Sequence, residues 1–304
     1  MKLIHDDHVH LRPHCGISRK RVAHDLHAYA VAARDKNLIL GIREHAPLPD
    51  PYRLGPDKDY YTSMSEWEVG PFLDLFRDSE VAAGLEVDFL KGSERAQKEI
   101  LDDILSRAAA QGVAVSGINV GLHFLPGTVR EIPDDKGSCP DVMLDMSEEV
   151  FAAHLKDRGL ETLLRDYFEY LHRAIDWEEG QVLSHIELIR KFDRIDSSGK
   201  STYFGDAEDH YSRECRRVIE HAADKGMAVE MNTAGCDCLL GRPYISQGLL
   251  DFCAKAKVPV VVGSDAHRPE QIGRHFDLAE QMLEKAGIDK VYTVRDCKLV
   301  PAPV

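Results

Sequence analysis

The sequence predicts an α/β fold in which a parallel sheet closes, or nearly closes, into a barrel. Three observations carry this. Short apolar runs alternate with segments of helical periodicity. At least seven such units follow one another without a linker. The length, 304 residues, is one that α/β barrels occupy as a single domain. The expected organisation is therefore one domain over residues 1–304.

The elements justify this in order. Residues 2–10, 38–45, 81–90, 113–123, 181–188, 227–232 and 258–267 are apolar runs short enough for strands. Helical segments separate most of them. Arg19 to Lys36 sets Val22, Leu26, Tyr29, Ala30 and Ala33 on one stripe, and residues 94–111, 148–177, 208–225 and 269–286 behave alike. Strands alternating with helices build parallel sheets through crossover connections. Three long polar or Pro/Gly-rich loops, at about 46–61, 124–146 and 190–206, interrupt the pattern. Loops of such length in a compact domain are usually functional or disordered.

Composition narrows the class. The chain is 43% hydrophobic and 30% charged, enough for a packed core. No run approaches the roughly 18 apolar residues of a membrane span. The opening MKLIHDDHVH lacks the apolar region of a secretory signal. A net charge of −14 argues against nucleic acid as the main partner. The seven cysteines are odd in number and irregularly spaced, which reads as reduced thiols in a cytoplasmic protein.

The fifteen histidines are more informative, because of where they fall. His8 and His10 end the first strand as HVH. Residues i and i+2 of a strand share a face, so both imidazoles point the same way. Asp265 and His267 end the last strand in the same relation. His45, Glu86, His123 and His185 each lie at or near the end of a different strand. The strand C-termini of a parallel barrel share one rim, and that rim holds active sites.

Imidazole with a minority of carboxylate suits zinc, iron or manganese. So many donors call for two or three divalent ions. Against Glu86 and Asp265 those ions leave a positive pocket, which fits phosphate. A metal-bound hydroxide would serve as the nucleophile. The residues thus point to metal-assisted hydrolysis of a small phosphorylated substrate.

The segments DDHVH, EHAPLP, GLEVDF, GLHFL, SHIELIRKF, EMNTAG and GSDAH, in order from residue 6 to about 276, resemble the PHP (polymerase and histidinol phosphatase) superfamily. The resemblance is closest to its monofunctional histidinol-phosphatase branch. It implies a distorted (β/α)7 barrel with a trinuclear site at the C-terminal ends of the strands. Matched by motif, the implied ligands are His8, His10, His45, Glu86 (bridging two ions), His123, His185, Asp265 and His267. The family's further ligand, eight residues after the first histidine, falls here on Gly16. His14, in the turn RPHCG, is the replacement the motif suggests, with His24 as the other candidate.

The implied reaction converts L-histidinol phosphate to L-histidinol and phosphate, in histidine biosynthesis. Asp265 would also orient the water or relay a proton. Arg43, Arg190, Lys191 and Arg242 are candidate substrate contacts, and Asp134, Asp135 and Asp141 could form an acidic lip for a cationic substrate. The alternatives are another phosphomonoester, nucleotide or phosphodiester hydrolase, or a module of this type without chemistry.

Overall fold

A computed structural model describes residues 2–11, 25–50, 52, 63–127, 141–198 and 200–302. His14, His24, Asp134 and Asp135 lie outside the described residues, as does most of the first two long loops.

Each apolar run forms a strand: β1 His5–Val9, β2 Ile39–Ile42, β3 Glu44–His45, β4 Ala83–Asp88 and β5 Val115–Gly121. A short hairpin follows, β6 Phe124–Pro126 with β7 Asp141–Met143. Then come β8 Val182–Leu183, β9 Ala228–Asn232 and β10 Val260–Gly263. The chain ends on an antiparallel pair, β11 Tyr292–Arg295 and β12 Lys298–Pro301. The helices are α1 Leu26–Asp35, α2 Val69–Asp74, α3 Glu94–Ala110, α4 Glu148–Arg158, α5 Leu160–Asp176, α6 Glu208–Asp224, α7 Gln247–Ala256 and α8 Phe276–Ala286.

Two departures have local causes. The single helix expected over 148–177 is two, because Gly159 takes φ 74° and ends α4. The third long loop is not loose. Asp193, fully buried, accepts hydrogen bonds from Ser201 Oγ and from the backbone of Tyr203, which fold 190–206 onto itself.

The main sheet runs β12-β11-β10-β9-β8-β5-β4-β3, parallel except for β11–β12. β1 and β2 form a separate parallel pair. The expected α/β architecture is present, but the strands fall into separate sheets rather than one continuous ring. β1 lies beside the end of β10: His10 N–H donates to Ala266 O and Asp265 N–H to His8 O, both at 2.8 Å. On its other side Arg43 N–H donates to Val9 O at 2.9 Å.

Strand alternation divides the interior. Val120, Leu183, Val229, Met231, Val260 and Val262 face α5–α8 in one apolar core. Val9, Ile42, Leu85, Val87 and Ile118 face α1–α3 in another. On the opposite faces Val182, Ala228, Val261 and Val294 form a smaller apolar cluster, and toward the strand C-termini those faces carry the polar residues. Register sets these in rows, pairing His45 with Glu86 and Glu86 with Asn119.

Candidate metal centre

All eight described ligand candidates meet at one end of the sheet. Glu86 is the hub. Its Oε2 lies 3.2 Å from His8 Nε2, 3.5 Å from His10 Nε2 and 3.4 Å from His45 Nδ1. Its Oε1 accepts from His185 Nε2 at 2.9 Å. Asp265 Oδ1 stands 3.2 Å from His10 Nε2 and 4.0 Å from His8 Nε2. Three sets of donors come together closely enough to share an ion: His10, His45 and His267; His8, His10 and Asp265; Glu86, His123 and His185.

The backbone is bent to achieve this. His185 adopts φ 26° and Asp265 φ 51°. Such conformations persist in non-glycine residues only where the surroundings enforce them, and they gather at functional sites. Glycine makes room for the cluster. A Cβ on Gly121 would stand 2.6 Å from Glu86 Oε1, and 3.1 and 3.2 Å from ring carbons of His123 and His185.

The electrostatics favour cations. Burial opposes charge on His8, but Glu230, Glu86 and Asp265 outweigh it and hold its pKa well above the ordinary value. Against the same burial, hydrogen bonds to Asp265 and Glu44 lift His10 to about 9. Asp88 lifts His123 to about 10. Burial and the neighbouring His10 push His45 down to about 4. The imidazoles hold Glu86 and Asp265 well below the usual carboxylate range despite their burial. A site that stabilises positive charge this strongly would offer the same field to divalent ions, whose binding would require the ligating imidazoles to be neutral.

The donors fit such ions. They are imidazole and carboxylate throughout, the set that suits zinc. His8 Nε2 and His10 Nε2 are 3.0 Å apart. Donors about 2.0–2.1 Å from a tetrahedral ion stand about 3.3 Å from one another. Outer partners fix the tautomers. Glu230 accepts from His8 Nδ1 at 2.6 Å and Asp88 from His123 Nδ1 at 2.5 Å, which leaves Nε2 of each ring as the donor to an ion.

A cavity of roughly 200 Å³ opens onto this cluster. Its far wall holds Asp145, Lys191, Asp237, Cys238, Tyr244 and Arg274. Lys191 is the one sequence-derived cation of the four that reaches it. Its Nζ donates to Asp145 Oδ2 at 3.1 Å. The other three are committed elsewhere. Arg43 is fully buried below the ligand layer and donates to Asn119, Ser116 and Ile42 O. Arg190 binds Asp193 and Glu208. Arg242 forms a two-pronged pair with Glu187. Asp141 accepts from Tyr52 Oη at 2.6 Å. His154, on α4, is buried with Nε2 2.9 Å from Pro126 O.

Sequence reasoning missed Glu230, Asp88 and Arg274. Arg274 clamps the site's last loop by donating to Ser264 O, Asp265 O and Asp237. The spacing of Asp88, two residues after Glu86 on β4, was the available signal.

Comparison with known proteins bears on what this geometry belongs to. A family model described as PHP-associated matches residues 250–282. The probable histidinol-phosphatase of Deinococcus radiodurans is 26% identical over 97% of this chain and 98% of its own length. The histidinol-phosphatase of Bacillus subtilis is 25% identical over 90% of this chain and 96% of its own. The crystal structure of histidinol phosphate phosphatase from Lactococcus lactis, complexed with zinc, L-histidinol and phosphate, superposes with a TM-score of 0.61 at 16% identity, covering 98% of each chain. The fold is shared with this solved structure, and the rim of imidazoles and carboxylates could hold metal ions. The chain is thus similar to histidinol phosphatases along nearly its whole length, and a PHP-associated family model matches its C-terminal part.

Proposed function

We propose that this protein is a metal-dependent phosphomonoesterase whose substrate is L-histidinol phosphate, released as L-histidinol and phosphate. The observation that carries the reading is the convergence of His8, His10, His45, His123, His185 and His267 on Glu86 and Asp265 at the floor of one cavity. The full-length match to histidinol phosphatases supports the choice of substrate. The zinc, L-histidinol and phosphate bound in the Lactococcus relative support both the metal and the ligand.

In this reading the eight residues hold two or three divalent ions, zinc first, with iron or manganese as the alternatives. The strands are read as a distorted (β/α)7 barrel, with the contacts of β1 to β10 as its closure. Such ions, when bound, neutralise phosphoryl oxygens and lower the pKa of water. The protein's own groups do the rest. Glu86 touches four of the imidazoles and sets their spacing. Asp265 is ionised, and its Oδ2 is oriented by Asn232 Nδ2 at 3.2 Å. It is placed to accept a proton at the cavity floor. Burial works against charge on Lys191, but Asp145 keeps its pKa above the ordinary lysine value. Its ammonium therefore stays positive on the wall facing the ligands, where a phosphate oxygen would meet it. Among the described residues no helix is long and apolar enough to cross a membrane. Phosphate release from L-histidinol phosphate, compared with a nucleotide panel, tests the reading. Preference for nucleotides would replace the substrate while leaving the metal chemistry in place.

A further inference from the structure

One buried carboxylate beneath the ligand layer links donors that otherwise belong to different ions. Glu230 lies on β9 and is fully buried. Its Oε1 accepts from His8 Nδ1 at 2.6 Å. Its Oε2 accepts the backbone N–H of His185 at 2.9 Å and Asn232 Nδ2 at 3.2 Å. The same Asn232 amide donates to Asp265 Oδ2 at 3.2 Å. His8 and Asp265 belong to one donor group, and His185 to another with Glu86 and His123.

The two ligands with left-handed backbones are the two that this network reaches beyond His8. His185 (φ 26°) is held through its own N–H, and Asp265 (φ 51°) through Asn232. A conformation of this kind is strained in a non-glycine residue and needs such over-determination. The packing around the carboxylate is equally tight. A Cβ on Gly263 would stand 2.4 Å from His8 Cβ and 2.6 Å from Glu230 Oε1.

We propose that Glu230 is a positioning residue that fixes His8, His185 and Asp265 as one unit, so that the two donor groups they serve bind their ions together. This rests on the metal reading above. The carboxylate form is required. Both oxygens accept, one from an imidazole and one from a peptide N–H. Glutamine has a single acceptor oxygen for these two positions. With its amide nitrogen toward His8, the ring must put its proton on Nε2, the atom that faces the ion. With the nitrogen toward His185, two N–H groups oppose each other.

The test is zinc binding rather than turnover. Metal-free wild type, Glu230→Gln, Asn232→Ala and the surface control Glu169→Gln are titrated with Zn²⁺ against a competing chromophoric chelator, with folding checked by circular dichroism. Glu230→Gln should weaken two ions by at least about tenfold, the lower end of losses from removing an outer partner. Asn232→Ala should weaken one ion, and Glu169→Gln none. Unchanged zinc affinity in Glu230→Gln, or a loss confined to one ion, overturns the coupling. If Glu230→Gln does not fold, Asn232→Ala decides, and unchanged affinity there overturns it. Wild type that takes up no zinc removes the metal reading and this role with it. Normal wild-type binding beside an unaffected Glu230→Gln removes only the role.

Discussion

Two groups of histidines in this molecule bring imidazole against imidazole, and they differ in what the rings converge on. On the outer surface, His172 of α5 and His221 of α6 meet Nδ1 to Nδ1 at 2.8 Å, and His221 Nε2 contacts Asp176 at 3.1 Å. Asp176 is largely exposed and is shared with Lys225. Burial, then the neighbouring His221, lowers the His172 pKa. At the rim, by contrast, Glu86 is buried and four imidazoles converge on it. Two of the rim ligands sit on backbones that a free chain avoids. The surface pair shows that neighbouring imidazoles do not make a site. Convergence on a buried carboxylate, held by outer partners and enforced by the fold, is what separates the rim from the surface.

The largest expected effect sharpens that contrast. Glu86→Ala should cost more than the roughly 100-fold upper range seen on removing outer partners, because it removes the hub itself. His172→Ala and His221→Ala should leave phosphate release within about twofold, as surface changes usually do. Rates on protein of verified fold, with metal content measured alongside, check both. Equal losses at rim and surface would erase the distinction.

Next is Gly121→Ala. The added methyl has no space beside Glu86 Oε1. Overpacking of this kind costs about 1–3 kcal/mol of stability. Displacement of the hub should in addition lower zinc affinity at the Glu86, His123 and His185 group. Calorimetry and chelator competition on one sample separate the two effects.

A further comparison is between Lys191, which lines the cavity, and Arg242, which does not. Arg242→Ala leaves Glu187 buried without its guanidinium, a break that costs about 3–5 kcal/mol. Its effect should appear in the melting temperature, with KM nearly unchanged. Lys191→Ala should do the reverse, raising KM for the phosphorylated substrate while the melting temperature moves little.

The smallest effect lies at the far end of β1. Burial, helped by Arg295, pushes His5 down to about 4 from an ordinary 6.5. A depressed pKa means that the folded state binds the proton less readily than the unfolded one. The associated stability is present above pH 6.5 and is lost as pH falls toward 4. His5→Gln should flatten that part of the stability profile, measured by thermal melts with metal removed.

The rim was legible because its residues fall at or just past strand ends: HVH follows strand alternation, whereas Asp265 and His267 lie beyond β10, with Asp265 at φ 51°, so a turn rather than alternation brings them to the rim. What lay one layer deeper was not. Arg43 shares the face of His45, as alternation requires, but its side chain points to the layer below and spends itself on Asn119 and Ser116. Glu230 reads in MAVEMN as one polar residue in an alternating strand, and nothing local says that it will meet His8, 222 positions away. The α/β class followed from the alternation of elements. The split of β2 from β3 and the separate β1–β2 pair did not, since register and closure depend on partners distant in sequence.

The most direct measurement is phosphate release from L-histidinol phosphate by zinc-replete protein, with bound metal counted on the same sample. The geometry of the rim predicts at least two ions per chain and turnover of this substrate above that of a nucleotide panel. Fewer than one ion per chain, or no phosphate release from protein that is fully loaded, would contradict it.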